Sequence, residues 1–190
     1  KGRTWYTDGR NSVGFSLILR PDYEVKKVKM IPMVMSIAVA DGLSKLTDLD
    51  VKIKWPNDIV INNRKICGIL TEMSVEMDYI DYVIVGIGIN VNQTDFDEQI
   101  ENIASSIKVE AGKEISRSEL IARILNEFEH LLTIFETDKN LNISALTAGE
   151  NLDLTAAEHA VIAKAKAGKN ANVKIYYFFN TISQKTFSLF

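Results

Sequence analysis

Two short strings carry the residue types that could do chemistry: Lys54-Trp55-Pro56-Asn57-Asp58 and Arg64-Lys65-Ile66-Cys67-Gly68. Pro56 stiffens the end of a strand, and Asn57 and Asp58 then present an amide and a carboxylate at a break between strands. Asn62-Asn63 predicts a tight hairpin turn. That turn brings Asp58 and Lys65 onto paired strands although they stand seven residues apart. A lysine near a carboxylate suits an anionic substrate. Its compact positive charge can meet a phosphate or carboxylate oxygen as charge builds in a transition state. Composition alone reads the pair as an ordinary cross-strand ion pair on a surface hairpin. The Trp-Pro-Asn-Asp run weighs against that, because Pro and Asn are poor choices for a plain strand.

A second candidate is Gly86-Ile87-Gly88-Ile89-Asn90. Two glycines two apart weaken an apolar strand, and a ligand lying against the backbone is one reason to keep them. A bulge or crowded packing is the default explanation for this string by itself. The third glycine of a dinucleotide-binding loop is missing, and no Walker A string occurs. A third candidate is Gly2-Arg3-Thr4-Trp5, where Arg can pair a phosphate and Trp can stack a base. Cys67 alternates with apolar neighbours and reads as a small buried hydrophobe. His130 lies between Phe128 and Leu131, and His159 has no evident partner. No Ser/His/Asp or Cys/His arrangement emerges, so covalent nucleophilic catalysis is unsupported.

These residues need elements to hold them. Phe15, Leu17 and Leu19 alternate, so residues 14–19 read as a strand ending at Arg20-Pro21-Asp22. Residues 30–46 read as a helix, with Pro32 in its first turn and Val34, Ile37, Ala38 and Leu43 at helical spacing. Residues 51–55, 59–61 and 65–73 read as strands, the last two joined by the Asn62-Asn63 hairpin. Residues 79–91 form a long strand pattern. Ser116 and Glu119 suggest a capping box. After them, Leu120, Ile121, Ile124, Leu125, Phe128, Leu131, Leu132 and Phe135 make an i, i+3/i+4 stripe. Residues 156–167 are rich in Ala and Lys, and residues 173–179 read as a strand. The layout predicts an α+β fold, a mixed, mostly antiparallel sheet with helices packed on it.

The chain has 190 residues, 46% of them hydrophobic and 25% charged, enough for one substantial folded domain. The formal net charge of -3 argues against a general nucleic-acid binder. One cysteine excludes an internal disulfide framework and fits a cytoplasmic location. Two histidines and one cysteine, far apart, give no metal site. The opening Lys-Gly-Arg-Thr-Trp has no leader-like apolar region, and no apolar run approaches the length of a membrane span. The chain does not begin with Met, so the natural protein is expected to start earlier.

Taken together, these strings resemble the catalytic domain of biotin protein ligases (biotin–[acetyl-CoA-carboxylase] ligases). The matching stretches are Gly2 to Trp5, Ser16 to Pro21, Lys54 to Asp58, Lys65 to Glu72, and Val85 to Asn92, in order from residue 1 to about residue 136. The resemblance implies the class II synthetase-like fold of biotin and lipoate ligases, and a two-step reaction. Biotin and Mg2+-bound ATP give biotinyl-5'-AMP and pyrophosphate. A lysine of a biotin carboxyl carrier domain then takes the biotinyl group and releases AMP. By this resemblance Lys65 contacts the biotin carboxylate and the phosphate, and Asp58 positions or deprotonates the incoming lysine. Arg3 and Trp5 hold phosphate and adenine, while Asn90 and Asn57 contact the nucleotide or its metal. Gly68, Gly86 and Gly88 let the backbone approach biotin. The same resemblance allows a homodimer through a sheet edge.

The tail departs from the family order. Residues 173–183 resemble the family's opening strand, and residues 160–169 resemble the strand leading into the biotin-binding loop. The expectation is one ligase catalytic domain over 1–190, with 1–143 in family order and 144–190 out of order. Ordered fragments numbered out of sequence are the favoured account, against a genuine rearrangement. Lys166 stands where the family places a biotin-contacting Gln, and Gln184-Lys185-Thr186 where Ser-Thr-Asn is expected. No DNA-binding domain and no C-terminal SH3-like cap is recognisable. Two other readings are a lipoate–protein ligase and a non-catalytic fragment that docks carrier domains.

Overall fold

A computed structural model describes residues 3–5, 10–21, 25–77, 79–137, 176–178 and 187–189. Its elements are β1 (Arg3–Trp5), β2 (Ser12–Leu19), α1 (Val25–Val28), α2 (Ile31–Thr47), β3 (Val51–Lys54), β4 (Asp58–Ile61), β5 (Arg64–Glu76), β6 (Tyr79–Asn90), α3 (Ile107–Ala111), α4 (Arg117–Thr137), β7 (Tyr176–Phe178) and β8 (Phe187–Leu189). Six strands form one sheet in the order β3-β4-β5-β6-β2-β7, and β1 pairs separately with β8. All these strand pairings are antiparallel. The expected α+β class is what the chain adopts. Within residues 173–183, strand β7 pairs with β2, Leu17 facing Tyr177. Residues 144–175, including the 168–175 link that would decide the order of the tail, lie outside the described residues.

Alternation decides which face of the sheet is covered. Val13, Phe15, Leu17 and Leu19 of β2 point the same way as Val83, Val85, Ile87 and Ile89 of β6, and all are buried. Cys67 and Ile69 of β5 continue that layer. Helix α2 packs on it and α4 packs on α2. At this seam Gly42 lets the helices close, because a Cβ there would stand 3.2 Å from Ile124 Cγ1. The stretch Val25–Thr47 is long and apolar enough to cross a bilayer by composition, but 67% of its apolar window is buried inside the fold. Its apolarity is that of a core helix.

Two local expectations need amendment. Only half of the Ser116/Glu119 box forms: Ser116 Oγ accepts from the Glu119 amide at 3.4 Å, while the Glu119 carboxylate turns to Arg123. The β5–β6 hairpin extends past residue 73 to a turn at Met77, which has φ of 52°. The alternation itself continues through Met73, Val75 and Met77, so the extension was readable.

Candidate functional site

The face of the sheet that no described helix covers carries a line of residues made mostly of glycine. Strand register sets Asp58 opposite Gly68, Gly68 opposite Gly88, and Gly88 opposite Gly14. One row across β4, β5, β6 and β2 therefore reads Asp-Gly-Gly-Gly. In the next row on the same face, Gly86 lies between Leu70 and Ser16. No register shift occurs at Gly86 or Gly88; the two shifts in the sheet are at Ile59/Val60 and Ser74/Val75. A Cβ on Gly86 would meet only Leu70 O and Ser16 Oγ, both at 3.7 Å, an ordinary contact. Neither a bulge nor crowding explains Gly86.

Lys65 reaches this face because of a bulge. Between β4 and β5 the pairing steps from Ile59–Cys67 to Val60–Lys65, which leaves Ile66 unpaired. Ile66 and Cys67 are both fully buried, so two successive side chains enter the core. The alternation of β5 then resumes one residue out of phase. In a regular strand that kept Ile66, strict alternation from Cys67 would point Lys65 into the core. With the bulge, Lys65 Nζ lies 2.6 Å from Asp58 Oδ1, with the two side chains 37% and 25% exposed. The predicted juxtaposition is present, although in register Lys65 faces Val60 and Asp58 faces Gly68. Beneath the lysine, burial pushes the Cys67 thiol pKa up, and the side chain is fully buried as the sequence suggests.

The loop before β4 is fastened to β5. The Trp55–Pro56 peptide bond is cis, and Trp55 is exposed. Asn57 Nδ2 donates to Ile69 O at 2.8 Å, and Ile69 N–H donates to Asn57 O at 2.9 Å. Asn57 is thus engaged in holding the strand break against β5.

Asn90 closes the other side. Its Nδ2 donates to Ser105 O at 3.0 Å, while Oδ1, in a side chain only 5% exposed, has no hydrogen-bond partner among the described residues. Ser105 Oγ, 1% exposed, is unpartnered in the same way. Buried polar atoms of this kind cost about 1–3 kcal/mol each unless something meets them. The same segment docks on the lysine strand: Lys65 N–H donates to Ile103 O at 2.8 Å, and Ser105 N–H to Lys65 O at 3.0 Å. A cleft of about 270 Å3 opens alongside, lined by Arg64, Thr94, Phe96, Ala104 and Ser105 among others. Sequence reasoning missed Gly14, Ser105 and the bulge. Gly14 carried a readable signal, a second glycine in phase with an apolar alternation.

Arg3 and Trp5 lie in β1, facing Leu189 and Phe187 of β8, and only their backbone is described. Lys166 lies outside the described residues.

As a chemical assembly, the face offers a flat strip of backbone leading to a lysine–carboxylate pair. A planar or extended ligand fits the strip, and an anionic end fits the lysine. The described residues hold no cluster of three His, Cys, Asp or Glu that would seat a metal ion.

Residues 1–90 match the biotin/lipoate A/B protein ligase family. The chain is 44% identical over 129 residues to the bifunctional ligase/repressor BirA of Bacillus subtilis, which covers 67% of this chain and 40% of that protein. It is 36% identical over 93 residues to the biotin–[acetyl-CoA-carboxylase] ligase of Paracoccus denitrificans, covering 48% of this chain and 38% of that one. Among solved structures it resembles the biotin protein ligase of Aquifex aeolicus in complex with biotin and ATP, with a TM-score of 0.59 and 32% identity over 66% of this chain and 52% of that one. The chain thus spans roughly two fifths to one half of the relatives it matches.

Proposed function

We propose that this chain, whose residues 1–90 match the biotin/lipoate A/B protein ligase family, is catalytic machinery of an ATP-dependent biotin–protein ligase. The observation that carries the proposal is the Lys65–Asp58 pair at the end of the Gly68–Gly88–Gly14 row. Biotin would lie along the glycine strip with its carboxylate toward Lys65. In the first step a biotin carboxylate oxygen attacks the α-phosphorus of ATP. The new P–O bond gives biotinyl-5'-AMP, and pyrophosphate leaves with the electrons of the broken bond. Lys65 offers a positive charge where carboxylate and phosphate meet, an electrostatic contribution made without forming a bond to substrate. In the second step the amine of a carrier-domain lysine attacks the acyl carbon and AMP departs. Asp58, beside the same carbon, can accept the proton that the amine sheds.

The unpartnered Asn90 Oδ1 and Ser105 Oγ offer an acceptor and a hydroxyl to the nucleotide. Mg2+ would arrive with the ATP phosphates as part of that substrate. Asn57 serves the site indirectly, by fixing the strand break. The carrier domain would approach the open face, and a homodimer would use a sheet edge, of which β3 is one. The single cysteine supports action in a reducing cytoplasm.

The test is adenylation. The chain should release pyrophosphate from ATP when given biotin, and Lys65→Ala should lower that rate at least a hundredfold while leaving the thermal melt in place, since the side chain lies at the surface of the sheet. Pyrophosphate release with lipoate and not with biotin would assign the chain to lipoate transfer. No release with either acid would leave carrier docking as its activity.

A further inference from the structure

The carboxylate of Glu110 is only 2% exposed, yet it belongs to a five-residue helix at the rim of the fold. Its oxygens are divided between two partners on the β4–β5 hairpin. Oε1 lies 2.5 Å from Arg64 Nη2, in charge contact but outside hydrogen-bond geometry. Oε2 accepts from Asn62 Nδ2 at 2.7 Å. Asn62 and Asn63 both have positive φ, 51° and 62°, so this is the turn that sets the hairpin. Arg64 immediately precedes Lys65, and successive strand side chains point to opposite faces. Arg64 therefore anchors the strand from one side while Lys65 works on the other.

Helix α3 is itself fastened. Ser106 caps its start, its Oγ accepting from the Val109 amide at 3.2 Å. Lys108 N–H donates to Val91 O at 2.8 Å, just beyond the end of β6. The segment entering α3 holds both backbone groups of Lys65, through Ile103 and Ser105. Only the Glu110 side of this ion pair is buried, the Arg64 side chain being 37% exposed, and such a pair is a weak source of net stability. What it supplies well is a fixed geometry.

We propose that Glu110 is a positioning residue for Lys65. Its buried carboxylate holds Arg64 and the Asn62 turn against α3, and so fixes the backbone from which the lysine reaches the open face. The inference rests on the ligase reading for its activity readout, but not for its structural one.

Glu110→Gln keeps an oxygen for Asn62 and removes the charge that Arg64 meets. Amide hydrogen exchange at Lys65, whose N–H is bonded to Ile103, should quicken at least tenfold. The kcat of biotin-dependent pyrophosphate release should fall at least tenfold, with KM for biotin and for ATP within twofold of the parent, because the glycine strip and Asn90 are untouched. The Arg64→Gln/Glu110→Gln double variant, which replaces the ion pair by two amides, should restore part of both. Asn62→Gly retains the positive φ and loosens only the second contact; it should raise Lys65 exchange without lowering Tm, and it serves if Glu110→Gln fails to fold. Unchanged Lys65 exchange in Glu110→Gln, or in Asn62→Gly where the former does not fold, overturns the inference. So does a kcat loss matched by an equal rise in both KM values. If the parent chain adenylates nothing, the ligase reading fails, and the exchange measurement still decides whether Glu110 positions Lys65.

Discussion

The glycine strip makes a demand that can be separated from folding. Gly86 sits in a strand with no positive φ of its own, and a Cβ there meets nothing closer than 3.7 Å. Gly86→Ala should therefore be accommodated. It should even stabilise the fold by about 0.4–1 kcal/mol, because alanine has less conformational freedom to lose. For a chain of this size that is a rise in Tm of roughly 1–4 °C. The new methyl stands about 1.5 Å from Cα and projects onto the open face. Carbon contacts are best at about 3.5–4.0 Å, so a ligand resting on the strip must retreat by roughly 1 Å along the part that crosses Gly86. Biotin affinity should fall at least tenfold, about 1.4 kcal/mol. Calorimetric titration with biotin, paired with a thermal melt of the same sample, reads both quantities. A raised Tm with unchanged biotin affinity would refute the strip as the ligand surface. A lowered Tm would show that packing, after all, requires the glycine.

Two further outcomes follow from single side chains. Asn92 bonds Ile115 twice, Nδ2 to its carbonyl and Oδ1 from its amide, both at 2.9 Å and both buried; Asn92→Ala should cost about 2–4 kcal/mol in urea unfolding through the two orphaned backbone groups, and a loss under 1 kcal/mol would mean that water replaces them. Burial raises the half-buried Glu136 carboxyl above its ordinary 4.5, with the Lys27 charge opposing. The native state thus holds this proton more tightly than the unfolded chain, so its contribution is most favourable below about pH 4.5 and is lost as pH rises through the raised value. Glu136→Gln should be more stable than the parent at neutral pH and indistinguishable from it near pH 4, and a difference that does not vary with pH would exclude burial as its cause.

What could be read from the residues alone follows the range of the interactions involved. The α4 stripe is local, and Leu120, Ile124, Phe128, Leu131 and Leu132 are all buried as their spacing implies. The meeting of Lys65 with Asp58 is nearly local, since a tight turn at Asn62-Asn63 brings their strands together. The alignment of Gly14 with Gly88 is another matter. It depends on the register of two strands far apart in sequence, which only the burial of Val13, Phe15, Ile87 and Ile89 on the other face decides. Glu110 was illegible for the same reason: nothing in the sequence Ile-Lys-Val-Glu-Ala says that its carboxylate will be buried against a hairpin. The bulge at Ile66 left no mark either, because an apolar residue beside an apolar cysteine looks like ordinary strand.

That bulge and the glycines solve one problem between them. Three glycines aligned across three central strands forgo side-chain contacts and cost about 0.5–1 kcal/mol each relative to alanine. No crowding demands such a residue at the neighbouring Gly86. The covered face can carry the cost, since Ile59, Cys67, Ile89 and Val13 pack in the same row directly beneath. A strip of bare backbone by itself would bind nothing in particular. It acquires direction because its glycines give way to Asp58, and because the bulge at Ile66 turns Lys65 out of the core to meet that carboxylate. Straightening the strand with Ile66 retained would leave every glycine in place and still disable the site, by sending the lysine to the wrong face of the sheet.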